Sequence, residues 1–151
     1  MKTILLAMVM SGLCLASVCG GEKAAAKPAV CVTNADQLPT QEFPWGTLKW
    51  LCNEKLAPGA QQTVGLASIL PGHGNPIHFH PNCEEVLYVL SGCGTHSSEG
   101  QTIELKPGMT LCIPAGVKHK LTNTGAEPLK TLISFSSGDR KTVFLEANPP
   151  K

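Results

Sequence analysis

The sequence predicts an all-β fold of sandwich or barrel type, and three observations carry that expectation. Glycine and proline are abundant, 15 and 12 of 151 residues, as a chain with many tight turns requires. Apolar and polar residues alternate over short runs, the period of a half-buried strand rather than of a helix. Turn signals separate those runs, among them Pro71-Gly72, Ser98-Glu99-Gly100 and Lys106-Pro107-Gly108. At this length one domain can bury a genuine core. Charged residues make up 15% and the net charge is +1, so the composition excludes a chain built to bind nucleic acid or an anionic membrane.

Residues 1–20 read as an export signal. Lys2 supplies the positive end, an apolar run follows from Ile4 to Val18, and small residues from Ser17 onward suit cleavage. Ser11, Gly12 and the short length argue against a membrane span. A lipid anchor at Cys19 is the alternative, though Leu15 lies four residues before it and Val18 directly precedes it, an imperfect context. The localisation expected is therefore secreted or periplasmic, with a membrane-tethered lipoprotein as the alternative. Residues 21–40 mix Ala, Lys, Pro and polar residues, a linker that becomes an arm lying on the domain over 41–147.

Strand patterns run over 46–52 and 62–70, and the most strongly apolar stretch, 85–90, should cross the middle of a sheet. Further strands are expected over 110–113, 118–123, 129–135 and 141–145.

The chemistry lies in 72–123. His78 and His80 sit two apart among β-formers, so a strand turns both to one face and Phe79 to the other. A carboxylate follows at Glu84 or Glu85, and His119 comes after Pro114 and Gly116. Three imidazoles and a carboxylate make a nitrogen and oxygen donor set suited to a divalent transition metal. Strand parity leaves the two glutamates open, because Pro81 and Asn82 interrupt the alternation.

The stretch PGHGNPIHFHPNCEEVLYVLSG resembles the first sequence motif of the cupins, with Gly72, His78, His80, a glutamate and Gly92 in place. PGMTLCIPAGVKHKLTN resembles their second motif through Gly108, Pro114, Gly116, His119 and Asn123. Fifteen residues separate Gly92 from Gly108, similar to the spacing of small microbial cupins. The resemblance implies a single-domain double-stranded β-helix, or jelly-roll barrel. It also selects Glu85, since six residues lie between Glu85 and Gly92, as in the family motif. The implied metal site is then His78, His80, Glu85 and His119, with Glu84 turned outward. Four protein donors leave two positions on an octahedral ion, which suits Fe, Mn or Ni better than Zn, although Zn remains possible.

Resemblance to cupins permits dioxygenases, decarboxylases, isomerases and lyases acting on a small oxygenated molecule. A non-catalytic secreted module that binds a small molecule or the metal is the rival reading. His73 and Tyr88 are candidate proton-transfer groups, whereas His96 reads as a hairpin residue and Asn123 as a structural one. Small cupins also imply a homodimer, with Phe43, Trp45 and Trp50 as aromatic anchors.

Seven cysteines are present and five follow the leader: Cys31, Cys52, Cys83, Cys93 and Cys112. A straight strand between Cys83 and Cys93 would hold them roughly 30 Å apart, too far for a disulfide. Cys31 with Cys52 is the one pairing left open. Cys93 and Cys112 are expected as buried thiols, and Cys83, beside the metal mouth, as a redox-sensitive or substrate-facing one.

Overall fold

A computed structural model describes residues 30–145, so the expected export signal, the alternative lipid anchor at Cys19 and the first half of the expected linker lie outside the described residues. The arm enters through a short 3₁₀ turn, Ala35–Gln37, whose start is capped by the Asn34 side chain accepting from the Asp36 amide. It lies along the next strands, Thr33 donating to the Leu51 carbonyl at 2.7 Å and Lys49 to that of Ala35 at 2.9 Å.

Eleven strands follow: β1 Gln41–Phe43, β2 Gly46–Cys52, β3 Thr63–Ile69, β4 His78–Phe79, β5 Glu85–Ser91, β6 Gly94–Ser98, β7 Gln101–Leu105, β8 Thr110–Ile113, β9 His119–Asn123, β10 Leu129–Phe135 and β11 Val143–Phe144. They form two antiparallel sheets. One runs β1-β2-β3-β10-β5-β8 and the other β11-β4-β9-β6-β7. As expected, the apolar run of β5 is an inner strand, paired with β10 on one side and β8 on the other. Its alternation is strict: Glu85, Leu87 and Val89 are buried, while Val86, Tyr88 and Leu90 face out. With Ile69, Leu105, Leu121 and Leu129 from both sheets, the inward residues make one apolar core. Fully buried Val89 and Leu129 each contribute about 1.5–3 kcal/mol by leaving water.

Turn chemistry sets the register. The β6–β7 hairpin closes on Glu99-Gly100, both with positive φ (47° and 81°), the twist that a two-residue turn between antiparallel strands demands. Asn123 has the structural role expected of it. Its amide donates to the carbonyls of Ile69 (2.9 Å) and Glu127 (2.8 Å), and its Oδ1 accepts from Gly125 at 2.8 Å.

Three expectations are corrected. The strand over 141–145 contracts to Val143–Phe144, because the chain before it is held by side chains: Asn82 accepts from the Lys141 amide and donates to the Asp139 carbonyl, both at 2.9 Å. Of the aromatic anchors, Trp45 turns inward while Phe43 and Trp50 are partly buried. Trp45 is buried and stacks on Phe43 at 4.8 Å, and Trp50 packs against Phe135 at 6.3 Å. All five described cysteines are free, Cys31 and Cys52 included; Cys93 and Cys112 are exposed and Cys83 is the buried one. Cys93 falls in the turn between β5 and β6. Cys112 pairs with the outward Val86, so strand parity sends its thiol to the surface.

Candidate metal centre

Each member of the His/Glu group is set by a short strand between breakers. Pro76 and Pro81 bracket β4, which keeps its two residues extended and gives His78 a register partner in His119 on β9. His80 lies just past the end of β4, and Glu85 opens β5 on the facing sheet. The four side chains are all buried, at 8%, 3%, 5% and 4% exposure for His78, His80, Glu85 and His119, and their ligand atoms lie within 4.8 Å of one another. Glu84, one residue away, is exposed on the other face.

Hydrogen bonding behind the rings fixes what they present in front. The Nδ1 of His78 bonds the Pro76 carbonyl at 2.8 Å, that of His80 the Lys141 carbonyl at 2.8 Å, and that of His119 the Val117 carbonyl at 2.9 Å. A carbonyl only accepts, so each Nδ1 carries its hydrogen and each neutral ring turns an Nε2 lone pair inward. Glu85 Oε2 lies 3.2 Å from the Nε2 of both His80 and His119. Acceptors face acceptors there, and His80 Nε2, though close, is buried without an aligned hydrogen bond. Such a constellation is satisfied only by a cation at its centre, either a metal ion or a proton on one ring. The donors fit a divalent transition metal.

Protonation in the metal-free group follows the same logic. Burial, then the charge of His119, presses the His78 pKa down to about 4. Burial also pushes the Glu85 carboxyl up, but the hydrogen bond of His119, the close approach of His80 and the charge of both rings outweigh it and hold the group at about 2. For His119 burial works downward, yet the bond and charge of Glu85 prevail and raise it. His119 is thus the ring that takes the proton when no metal is present.

One residue beside the group was not singled out by the sequence. His96 on β6 is 3% exposed, its ring stacks on His119 at 5.5 Å, and neither of its nitrogens has a partner. Burial, then the charge of His119, holds its pKa below the ordinary value. It lies on the β6–β7 hairpin, as expected, with its side chain in the barrel interior. Alternation puts it on the face of Gly94, but a strand reading GTHSS carries no apolar mark of which face is inward. The other candidates are not brought in: His73 is exposed on a loop, and Tyr88 is on the outer face of β5 at 39% exposure. Cys83 is buried outside the group; burial lifts its thiol pKa and Arg140 tempers the rise.

Aromatic rings wall the group. Phe135 meets His80 edge-on at 4.8 Å, and Phe144 on β11 lies 5.8 Å from His78. A cavity of about 640 Å³ reaches His119 between the tip of the β6–β7 hairpin and the residue after β11, with Ile77, Ser98, Thr102, Lys118 and Leu145 in its walls. It is roomy enough for a small organic molecule.

The cupin domain family matches residues 65–135 of the chain. An uncharacterized protein of Methanocaldococcus jannaschii is 32% identical over 85 residues, covering 56% of this chain and 68% of that protein. Auxin-binding protein 1 of Arabidopsis thaliana is 38% identical over 92 residues, 55% of this chain and 46% of the relative. Among solved structures, Lactobacillus farciminis oxalate decarboxylase in a formate complex superposes with a TM-score of 0.68 at 27% identity, over 73% of this chain and 34% of that one. A Bacillus subtilis oxalate decarboxylase with Mn(II) centres superposes equally well, TM-score 0.68, at 23% identity over 74% of this chain and 31% of that one. The chain therefore spans about a third of those decarboxylases and about half of the auxin-binding protein.

Proposed function

This chain belongs to the cupin family, and from that premise we propose that it is an exported, metal-dependent enzyme acting on a small oxygenated organic molecule. His78, His80, Glu85 and His119 hold one divalent ion. The observation that carries the reading is the set of three imidazoles pinned by their Nδ1 hydrogens to backbone carbonyls, so that three Nε2 lone pairs and the Glu85 carboxylate converge. Four protein donors leave room on an octahedral Fe, Mn or Ni ion, and Zn is the tetrahedral alternative. When bound, such an ion supplies Lewis acidity toward a substrate oxygen or a site for dioxygen. The protein's own part is to admit the substrate through the cavity beside His119, to exclude bulk water with Phe135 and Phe144, and to hold His96 neutral against the group. There a partnerless imidazole can donate to or accept from the substrate.

Dioxygenase, decarboxylase, isomerase and lyase chemistries all fit this arrangement, and the likeness to oxalate decarboxylase supports decarboxylation among them. A non-catalytic binding module is the second reading, favoured by the resemblance to auxin-binding protein 1. Export rests on Lys2 and the apolar run after it. A homodimer is part of the proposal too, supported by the exposed strip Val86, Tyr88 and Leu90 on β5 rather than by Trp45, which is buried.

The test is elemental analysis of the purified full chain, followed by a product screen of the metal-loaded protein against small oxygenated acids, phenols and thiols. About one transition-metal ion per chain and turnover of one panel member are expected. Tight binding of a panel member without turnover would favour the module, and failure to take up any transition metal would overturn the enzyme reading.

A further inference from the structure

A second cavity, of about 420 Å³, has none of the four residues of the metal centre in its walls, although Phe135 and Thr142 each touch both His80 and its Arg140. Its walls carry Gln41, Trp50, Glu54, Lys55, Asp139 and Arg140. Arg140 is the informative member. Its guanidinium lies 4.5 Å from the centre of the Trp50 ring and 4.9 Å from that of Phe135, two rings whose own centres are 6.3 Å apart, so both pack against it from adjacent sides. Nη1 donates to Thr142 Oγ1, while Nε is buried without any partner. Among the described residues no carboxylate reaches it within ion-pair distance: Asp139 is held by Lys141 at 2.6 Å, and Glu54 is exposed. A guanidinium has five donors, and leaving buried ones unmade is costly. Burial accordingly presses its pKa below the ordinary value, although Glu85 and Cys83 oppose the shift. Trp50 is itself pinned at the wall, its Nε1 donating to Gln41 Oε1 at 3.0 Å. Lys55 adds a second cation at the rim, where water screens it and Glu54 alike.

We propose that this cavity is a binding site for a small organic carboxylate, taken by the free edge of Arg140 against the Trp50 ring and separate from the metal centre. The planar fork of a guanidinium matches a carboxylate with two parallel hydrogen bonds, which a lysine at the same place could not offer. The cavity volume suits an acid of a few carbons.

Malonate is a suitable probe, with dimethyl malonate as the neutral control. Titration of the purified full chain, before and after chelation, is followed by calorimetry and by tryptophan fluorescence. Saturable malonate binding is expected in both states, with a change in emission from Trp50, and no binding of the diester. Arg140→Gln should weaken malonate binding at least tenfold. Because that substitution also removes the contact with Thr142, Gln41→Glu serves as the second variant. It keeps an oxygen acceptor for Trp50 Nε1 on an exposed side chain yet adds a negative charge at the wall, and it should weaken binding at least threefold. Absence of saturable binding, equal affinity in both folded variants, or binding that vanishes on chelation would each overturn the site. None of those results bears on metal content, so the reading of the metal centre is tested apart from it.

Discussion

Glu84 and Glu85 differ by one position on a strand, and that position sets which carboxylate meets the three imidazoles. His119→Ala should lose most of the bound metal, because it removes a donor whose lone pair is aimed by the Val117 carbonyl. Glu85→Gln should weaken metal binding roughly tenfold or more by removing the one charged donor. Glu84→Gln should leave it within about twofold, since an exposed charge on the far face contributes little. Metal stoichiometry across the three variants decides this. Equal loss in Glu84→Gln and none in Glu85→Gln would reverse the assignment. His96 offers a second test. Replacing a buried imidazole that has no hydrogen-bond partner by leucine should preserve thermal stability or raise it by about 1 kcal/mol. Turnover by the loaded protein should fall while its metal content stays. A large loss of stability would mean that the ring's packing against His119 matters more than its orphaned nitrogens.

Between residue and barrel stand the short elements that aim the site. The strap over 139–145 supplies the Lys141 carbonyl to His80, the Thr142 hydroxyl 3.3 Å from the same nitrogen, and Phe144 against His78. A chain ending after Gly138 should keep both sheets apart from β11, because the backbone carbonyl of Gly138 still takes the Glu54 amide. It should nevertheless bind metal roughly 10–100-fold more weakly, the usual effect of losing a ligand's supporting hydrogen bond. Competition with a chelator measures it, and unchanged affinity would remove the strap from the account. Two motif glycines separate backbone freedom from space. Gly92 has φ 81° and an added Cβ would lie 2.6 Å from the Pro128 carbonyl oxygen, whereas Gly108, at φ 90°, has nothing within 4 Å. Gly92→Ala should therefore cost about 2–4 kcal/mol through strain and overlap, and Gly108→Ala about 1–2 kcal/mol through strain alone, by chemical denaturation.

For the molecule as a whole, proton and metal compete for one centre, and stability should record it. His78 has a folded pKa near 4 against 6.5 unfolded, so its contribution is complete above about pH 6.5 and is lost as pH falls toward 4. The shift corresponds to about 3 kcal/mol. Glu85 is depressed as well, and its contribution is lost at still lower pH. His119, raised instead, works with the opposite sign: its contribution is present below pH 6.5 and lost as pH rises through its folded pKa, so it offsets part of the acid loss. The metal-free protein should lose melting temperature between pH 7 and 4, and the loaded protein should release its ion over the same range. At pH 7 added metal should raise the melting temperature, because it binds only the folded state. Light scattering at micromolar concentration tests the dimer, and Leu90→Lys in the exposed β5 strip should shift it toward monomer.

By itself the sequence determined the all-β class, the bounds of β2, β8 and β10, the inward face of β5 and the grouping of His78, His80, Glu85 and His119. The class and the strand bounds follow from local rules, period-two alternation and turn residues, whereas the choice of Glu85 over Glu84, and with it the inward face of β5, came from the resemblance to the cupin motif. What only the tertiary structure decided depends on which face of a weakly patterned segment is covered. His96 sits on a strand of small polar residues, so its burial against His119 comes from β9 pairing alongside and not from its neighbours in sequence. The exposure of Cys112 and the burial of Trp45 have the same cause, since a residue's own character says little about whether another sheet lies over it. The contact of Arg140 with Trp50 joins the strap to β2, far back along the chain, and no local pattern encodes such a meeting. Strands announce their period because backbone geometry imposes it residue by residue. The faces that meet are chosen by packing the whole chain.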